Sequence, residues 1–299
     1  MPWQQVTVIG VGLLGGSLGL ALKQHRLARK VNGYVRRAAS IQECQKLGVV
    51  DWATRDLCQA VTGADLIVLA TPLAQMAELM VGMLPALRPG AIITDVGSAK
   101  ASIVRKLEPL AASVGAHFVG SHPMTGSEKT GPAAARSDLF ARATCVVTPT
   151  AQSAPEAVQA AEELWRSVGC NTILLSPELH DEFVSRSSHL PHVVAAELAN
   201  YVLSPAYPRE QSLLCANGFR DTTRIASSSP QMWRDIAMAN RTNLARVLGV
   251  FVEDLQELQL ALERGDAKAI EEFFETARHR RDDWCRQQSA NLPSPGADG

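Results

Sequence analysis

The stretch from Gln5 to Leu22, QVTVIGVGLLGGSLGLAL, constrains the fold more than any other part of the chain. A β-branched apolar run over 5–10 reads as a strand, and helical periodicity runs over 15–26. Between them stands Gly10-x-Gly12-x-x-Gly15, which is a weak signal alone but here follows a strand and opens a helix. In that setting Gly10 permits a tight turn, Gly12 lets backbone approach a pyrophosphate, and Gly15 lets helix and strand pack closely. The first helical amides, those of Leu13, Leu14 and Gly15, then face the phosphates with the helix dipole behind them.

The alternation continues. Strands are predicted over 31–35, 64–72, 91–97, 117–123, 143–150 and 171–176, separated by helices over 39–48, 73–87, 100–115 and near 156–168. Strands spaced by helices of this length imply βαβ units and a mostly parallel sheet covered on both faces. After Ser176 the pattern changes. Helices are predicted over 178–203, with a possible kink at Pro191, and over 243–265 and 266–288, with no strand between. The expected fold class is therefore α/β: a Rossmann-type dinucleotide-binding domain over 1–176, followed by an all-helical domain over 177–290. The last residues, 291–299, are a disordered tail by composition. The apolar repeat at Val247, Leu248, Phe251, Leu255, Leu258 and Leu262 needs a covering surface, either within the helical domain or in a homodimer, with the dimer preferred.

The 29 basic side chains against 30 acidic ones give no bulk electrostatic pull toward nucleic acid or membrane. The six cysteines show no CxxC or zinc spacing, which points to free thiols in a reducing compartment and to no metal site. With no signal-like N-terminus and no apolar run of about 20 residues, a cytoplasmic location is expected.

Selectivity for the cofactor's ribose is set about 20 residues after the glycines, where a carboxylate would bind the 2′-hydroxyl of NAD. That place is held by Val35, followed by Arg36 and Arg37. Two guanidiniums and no carboxylate suit a 2′-phosphate, so NADP is the expected preference, with NAD possible and solvated arginines the bland alternative. Thr71 and Pro72, in LATP, end the strand over 64–72 beside the expected nicotinamide ribose. Ser98, in TDVGSAK, ends the next strand on that edge and could equally cap the following helix.

Three further motifs, GSHPMTGSE over 120–128, SHLPH over 188–192 and GFRDTTRIASSSPQMWRD over 218–235, join the glycine motif and DVGS. Together they resemble the prephenate and arogenate dehydrogenases of tyrosine biosynthesis, from the glycine motif to about Trp284. The resemblance implies a Rossmann domain, a helical dimerisation domain and an active site in the cleft between them. It implies oxidative decarboxylation: a hydride leaves ring carbon C4 for the nicotinamide, the C1 carboxylate leaves as carbon dioxide, and the ring becomes aromatic.

That reaction needs a base for the C4 hydroxyl, and a neutral imidazole suits it. The resemblance gives this role to His122 and gives Ser98 contact with substrate, nicotinamide and the histidine. It assigns Arg224 to the substrate, with His192 as companion. Pro123 restricts His122 to extended backbone at the end of a parallel strand. His189 and Glu128 are substrate-binding candidates with structural alternatives: a satisfied core histidine, and a first-turn carboxylate. Arg220 is a second cation or a surface residue, and Trp233 is read as packing. His180, without motif support, is read as structural or solvated. Ser121, where glycine is common, is expected to alter the lining of the site.

Prephenate and arogenate differ by one ammonium, and Asp181, Glu182, Glu128 or Arg186 could sit near it. Two domains account for the length, so tyrosine is expected to inhibit, if at all, by competing at the active site. The rivals are a β-hydroxyacid-type dehydrogenase, which would need a lysine in the helical domain where only Lys268 is found, and a non-catalytic NADP sensor.

Overall fold

The computed structural model describes residues 3–127 and 129–290. Six strands form one parallel sheet: β1 (Trp3–Ile9), β2 (Ala28–Tyr34), β3 (Trp52–Thr54), β4 (Leu66–Leu69), β5 (Ile92–Asp95) and β6 (His117–Phe118), in the order β3-β2-β1-β4-β5-β6. The intervening helices are α1 (Leu13–Gln24), α2 (Ala38–Lys46), α3 (Leu57–Val61), α4 (Leu73–Met83) and α5 (Ala101–Ala112). The order reverses between β1 and β4, and in doubly wound sheets ligands bind at the carboxyl ends of the strands around such a switch point.

Side-chain alternation sorts the core into two layers. Val6 and Val8 of β1, with Leu66 and Val68 of β4, join one buried cluster with Leu18 and Leu22 of α1. Ile9, Ile67 and Leu69 point the other way, onto Met76, Met80 and Leu107 of α4 and α5. Both faces are covered, which explains why these strands read as continuous apolar runs.

The predicted strand over 117–123 is two strands. Val119 still donates to Ile93 O, but β7 (Gly120–Pro123) leaves the parallel sheet and pairs antiparallel with β8 (Thr144–Thr148), which pairs parallel with β9 (Asn171–Leu174). Gly120 marks the crossing: a Cβ there would lie 2.5 Å from Thr148 Oγ1 and 2.8 Å from Val104 Cγ2. His122 therefore sits within an antiparallel edge strand of a second sheet, not at the end of a parallel strand. The short β3 and α3 carry too little periodicity to be predicted from the sequence.

Helix α6 (Pro155–Ser167) precedes β9; beyond β9 the described chain is helical. It comprises α7 (Pro177–Val184), α8 (Leu190–Val202), α9 (Glu210–Leu213), α10 (Asn217–Thr223), α11 (Pro230–Ala239), α12 (Arg241–Arg264) and α13 (Ala267–Ala290). The irregularity expected at Pro191 lies just before it, as a π-helical turn over Ser185–His189. Pro191 has no amide for the preceding turn, and widening that turn removes the demand. The hydroxyls of Ser185 and Ser187 back-bond to Glu182 O and Phe183 O there. By contact the chain divides into a unit ending at Leu244 and a unit beginning at Ala245, within α12. No helix among the described residues is long and apolar enough to cross a membrane.

Candidate active site

The glycine turn closes on the carboxyl end of β4. Gly10 adopts φ +97°, and a Cβ on it would lie 2.7 Å from Ala70 O and from Thr71 Cγ2. A Cβ on Gly15 would lie 2.2 Å from Gly10 O, so only glycine lets α1 start this close to the strand. Gly12 is the N-cap of α1, no side chain caps that end, and nothing lies within 4 Å of where a Cβ on Gly12 would be. The first-turn amides, Leu13 and Leu14 included, thus lack a capping partner. Thr71 Oγ1 is buried with no hydrogen-bond partner, beside this turn. These features fit the pyrophosphate and ribose of a dinucleotide. Pro72 caps α4 and is exposed.

At the end of β2, Val35 is buried while Arg36 and Arg37 are exposed. A third guanidinium joins them: Arg55 Nε donates to Arg36 O at 3.0 Å. Arg55 follows β3, whose pairing with β2 brings it there. A three-residue strand carries too little periodicity to be read from sequence, so this cation was missed.

Beyond β5, the segment Asp95–Lys100 is held from inside. Lys100 is fully buried; its Nζ pairs with Asp95 Oδ2 and donates to Ser121 O at 2.9 Å. Asp95 Oδ1 accepts the Ser121 amide at 3.0 Å, which fastens β7 to the carboxyl end of β5. The Ser121 hydroxyl donates to Asp95 O at 2.5 Å and accepts from Trp165 Nε1 at 2.8 Å. It is spent in the core and does not line the site.

His122, next in β7, is 7% exposed. Its Nδ1 lies 2.9 Å from Nε2 of His180, and Nδ1 of His180 lies 2.8 Å from Asp181 Oδ1. Asp181 also accepts the amides of Lys100 (2.7 Å) and Ala101 (2.9 Å), closing the N-terminus of α5. The cap is therefore Asp181, not Ser98. Asp181 is also too committed, at 2% exposure, to meet a substrate ammonium. His180, read from sequence as structural or solvated, is in contact with His122. No local signal could reveal this, because the two lie 58 residues apart.

Burial holds His122 well below the usual histidine range, and His180, Lys100 and His189 push the same way. Burial also lowers His180, against the pull of Asp181. Two neutral imidazoles therefore face each other.

His189 is fully buried, with both nitrogens engaged: Nε2 donates to Ser98 O at 3.3 Å, and Asn240 Nδ2 donates to Nδ1 at 3.2 Å. Burial lowers its pKa to about 4. It anchors the Ser98 turn from behind. Ser98 itself is half-buried. His192, one turn on, donates from Nδ1 to Ser188 O at 2.9 Å and stacks on Trp233 at 3.8 Å between centroids. Burial and then the Arg224 charge lower its pKa. Arg224 and Arg220 are exposed and line a cavity of about 490 Å³ with Cys215, Phe219, Thr223 and Ser227. Glu128 lies outside the described residues, as does the tail over 291–299. Glu182 and Arg186 pair with each other at 3.1 Å.

Two family models match end to end: "Prephenate dehydrogenase, nucleotide-binding domain" over residues 18–174, and "Prephenate dehydrogenase, dimerization domain" over 176–277. The chain is 33% identical to the prephenate dehydrogenase of Bacillus subtilis over 97% of its length and 78% of that protein. It is 32% identical to the cyclohexadienyl dehydrogenase of Zymomonas mobilis, covering 93% and 95% of the two. Among solved structures, prephenate dehydrogenase from A. aeolicus, in complex with hydroxyphenyl propionate and NAD+, aligns with a TM-score of 0.88 and 30% identity over 94% and 98% of the chains.

Proposed function

The chain belongs to the prephenate dehydrogenase family, NAD-dependent oxidoreductases of tyrosine biosynthesis, and from that premise we propose that it oxidatively decarboxylates prephenate, arogenate or both, with NADP preferred. The observation that carries the reading is His122: a buried, neutral imidazole fastened through Ser121 and Asp95 to the carboxyl end of β5, on the edge where Gly10 and Thr71 end β1 and β4. NAD(P), when bound, supplies the hydride acceptor. Gly10, Gly12, Leu13, Leu14 and Gly15 would hold its pyrophosphate, and Thr71, Pro72 and Ser98 would border its nicotinamide ribose.

His122 accepts the C4 hydroxyl proton. A weak base is enough, because the hydroxyl becomes far more acidic as hydride leaves its carbon. Ser98 orients that hydroxyl, and His189 holds the Ser98 turn in register. Arg224, with His192 beside it, binds the side-chain carboxylate. A tight clamp on the ring carboxylate would stabilise the ground state and oppose loss of carbon dioxide. Glu128 remains a candidate for the substrate pocket.

Arg36, Arg37 and Arg55 support NADP over NAD. The change from strands to helices after β9 supports a domain boundary at 176/177. A homodimer is supported by the dimerization-domain match and by exposed Val250, Leu255, Leu262 and Phe274 on α12 and α13. The test is to mix the protein, NADP and prephenate or arogenate and follow absorbance of the reduced cofactor; no turnover of either substrate would overturn the reading.

A further inference from the structure

We propose that Asp181 and His180 form a hydrogen-bonded relay that fixes the tautomer of His122, leaving its Nε2 as the proton-accepting nitrogen. The proposal rests on the reading of His122 as the base, and extends it to two residues to which no motif assigns a role.

The direction of the relay follows from counting protons. Asp181 offers acceptors only, and both of its oxygens already receive backbone amides, from Lys100 and Ala101. The nitrogen of His180 facing Oδ1 at 2.8 Å must therefore carry the hydrogen: Nδ1–H donates to Asp181. A neutral imidazole has one N–H, so Nε2 of His180 is bare. That bare nitrogen faces Nδ1 of His122 at 2.9 Å. Two bare nitrogens at this distance would repel, so His122 Nδ1 carries a hydrogen and donates it. His122 Nε2 is then the bare nitrogen. Each assignment forces the next, and the whole is anchored by two amides at the N-terminus of α5, where the helix dipole favours the carboxylate.

The opposite arrangement needs a doubly protonated His180. That would bury a cation beside Lys100, and burial disfavours it. Turning the His122 ring over instead would put Cδ2, which is no hydrogen-bond donor of this strength, against the bare His180 Nε2 and forfeit the contact.

The relay also acts while the proton moves. The C4 hydroxyl proton goes to His122 Nε2, and the O–H electron pair stays on the oxygen as the ring carbonyl begins to form. His122 Nδ1–H remains in place, donating to a neutral His180 whose far side faces the Asp181 carboxylate. The new imidazolium is thus met by a dipole ending in a negative charge, and Asp181 gains no proton. The logic parallels a carboxylate that orients a catalytic imidazole without becoming protonated. His180 and Asp181 are positioning residues, since both are buried and act through His122.

Long-range proton–nitrogen correlation spectra of the 15N-labelled full chain read the tautomers without substrate or cofactor. The expected result is Nδ1–H at both His122 and His180. Replacing His180 by Gln keeps an acceptor near the Nε2 position; replacing it by Phe removes it. His180→Gln should keep His122 in the Nδ1–H form. His180→Phe should release it to a mixture and lower kcat at least about tenfold below His180→Gln, with KM little changed. Nε2–H at His122 in the unaltered protein, or equal kcat in the two variants, overturns the relay; the unaltered spectrum decides even where a variant fails to fold. Full turnover by His122→Asn would instead overturn the base assignment, and the proposal with it.

Discussion

The carboxylate of Asp181 accepts the backbone amide of Lys100 at 2.7 Å across 81 residues of sequence. It closes the N-terminus of α5 from α7, so a residue of the helical segment caps a helix of the parallel-sheet layer. Asp181→Ala removes the cap and leaves the buried His180 N–H unpaired. Together these should lower unfolding stability by about 2–4 kcal/mol. Asp181→Asn, which keeps one acceptor oxygen, should lose less. Urea midpoints of the three proteins check this, and an unchanged midpoint for Asp181→Ala would contradict the cap.

His122→Asn keeps the size and polarity of the side chain and removes the base. It should lower kcat by about 10²–10⁴-fold while NADP binding stays unchanged. Because burial keeps His122 unprotonated, the unaltered enzyme should hold its kcat as pH falls through 6.5, the ordinary histidine range. A kcat that halves near pH 6.5 would mean the base is an ordinary, solvated histidine.

Arg224 is exposed and lowers the pKa of His192 by its charge. Arg224→Ala should raise KM for prephenate by about 10–100-fold, the worth of one charge-assisted hydrogen bond, with a smaller effect on kcat. Tyrosine carries a carboxylate on a product-like ring and should compete for the same cation. Initial-rate inhibition should raise apparent KM at constant maximal rate; inhibition that leaves apparent KM unchanged would place tyrosine elsewhere.

The doubly wound sheet was legible because its strands are buried on both faces and its first turn needs glycine at fixed spacings. Motifs single out His122, Ser98, His192 and Arg224 as candidates. What escaped were side-chain contacts set by strands that the sequence pattern does not place. Arg55 reaches Arg36 because the three-residue β3 adds to β2. His180 reaches His122 because β7 turns out of the parallel sheet at Gly120 and runs antiparallel to β8. Ser121 looked like a change in the site lining and is a core hydroxyl, because strand residues alternate faces and its neighbour His122 takes the other one.

Cofactor choice should follow the three arginines at the end of β2. Arg37→Ala and Arg55→Ala should each weaken NADP by about 10–100-fold and leave NAD nearly unchanged, since only the 2′-phosphate needs them. Fluorescence titration of each variant with both cofactors separates the effects. Equal losses for NADP and NAD would show that the arginines serve the fold and not the phosphate.

Stability should fall in mild acid before most carboxylates titrate. His122, His180, His189 and His192 are all lowered by burial, and for His189 the folded value is about 4 against an ordinary 6.5. Between those limits the unfolded chain binds a proton that the folded chain refuses, so unfolding takes up protons and stability rises with pH. The contribution is fully present above 6.5 and is lost as pH falls toward 4. For His189 alone it amounts to about 3 kcal/mol, because one pKa unit is worth about 1.4 kcal/mol. Urea unfolding at pH 7.5, 6 and 5 measures the slope. His189→Gln should be less stable at pH 7.5, having lost the Asn240 and Ser98 contacts, but its slope should be shallower by nearly one proton. An equal slope in the two proteins would mean that His189 titrates normally in the folded state, and that its buried contacts do not keep it neutral.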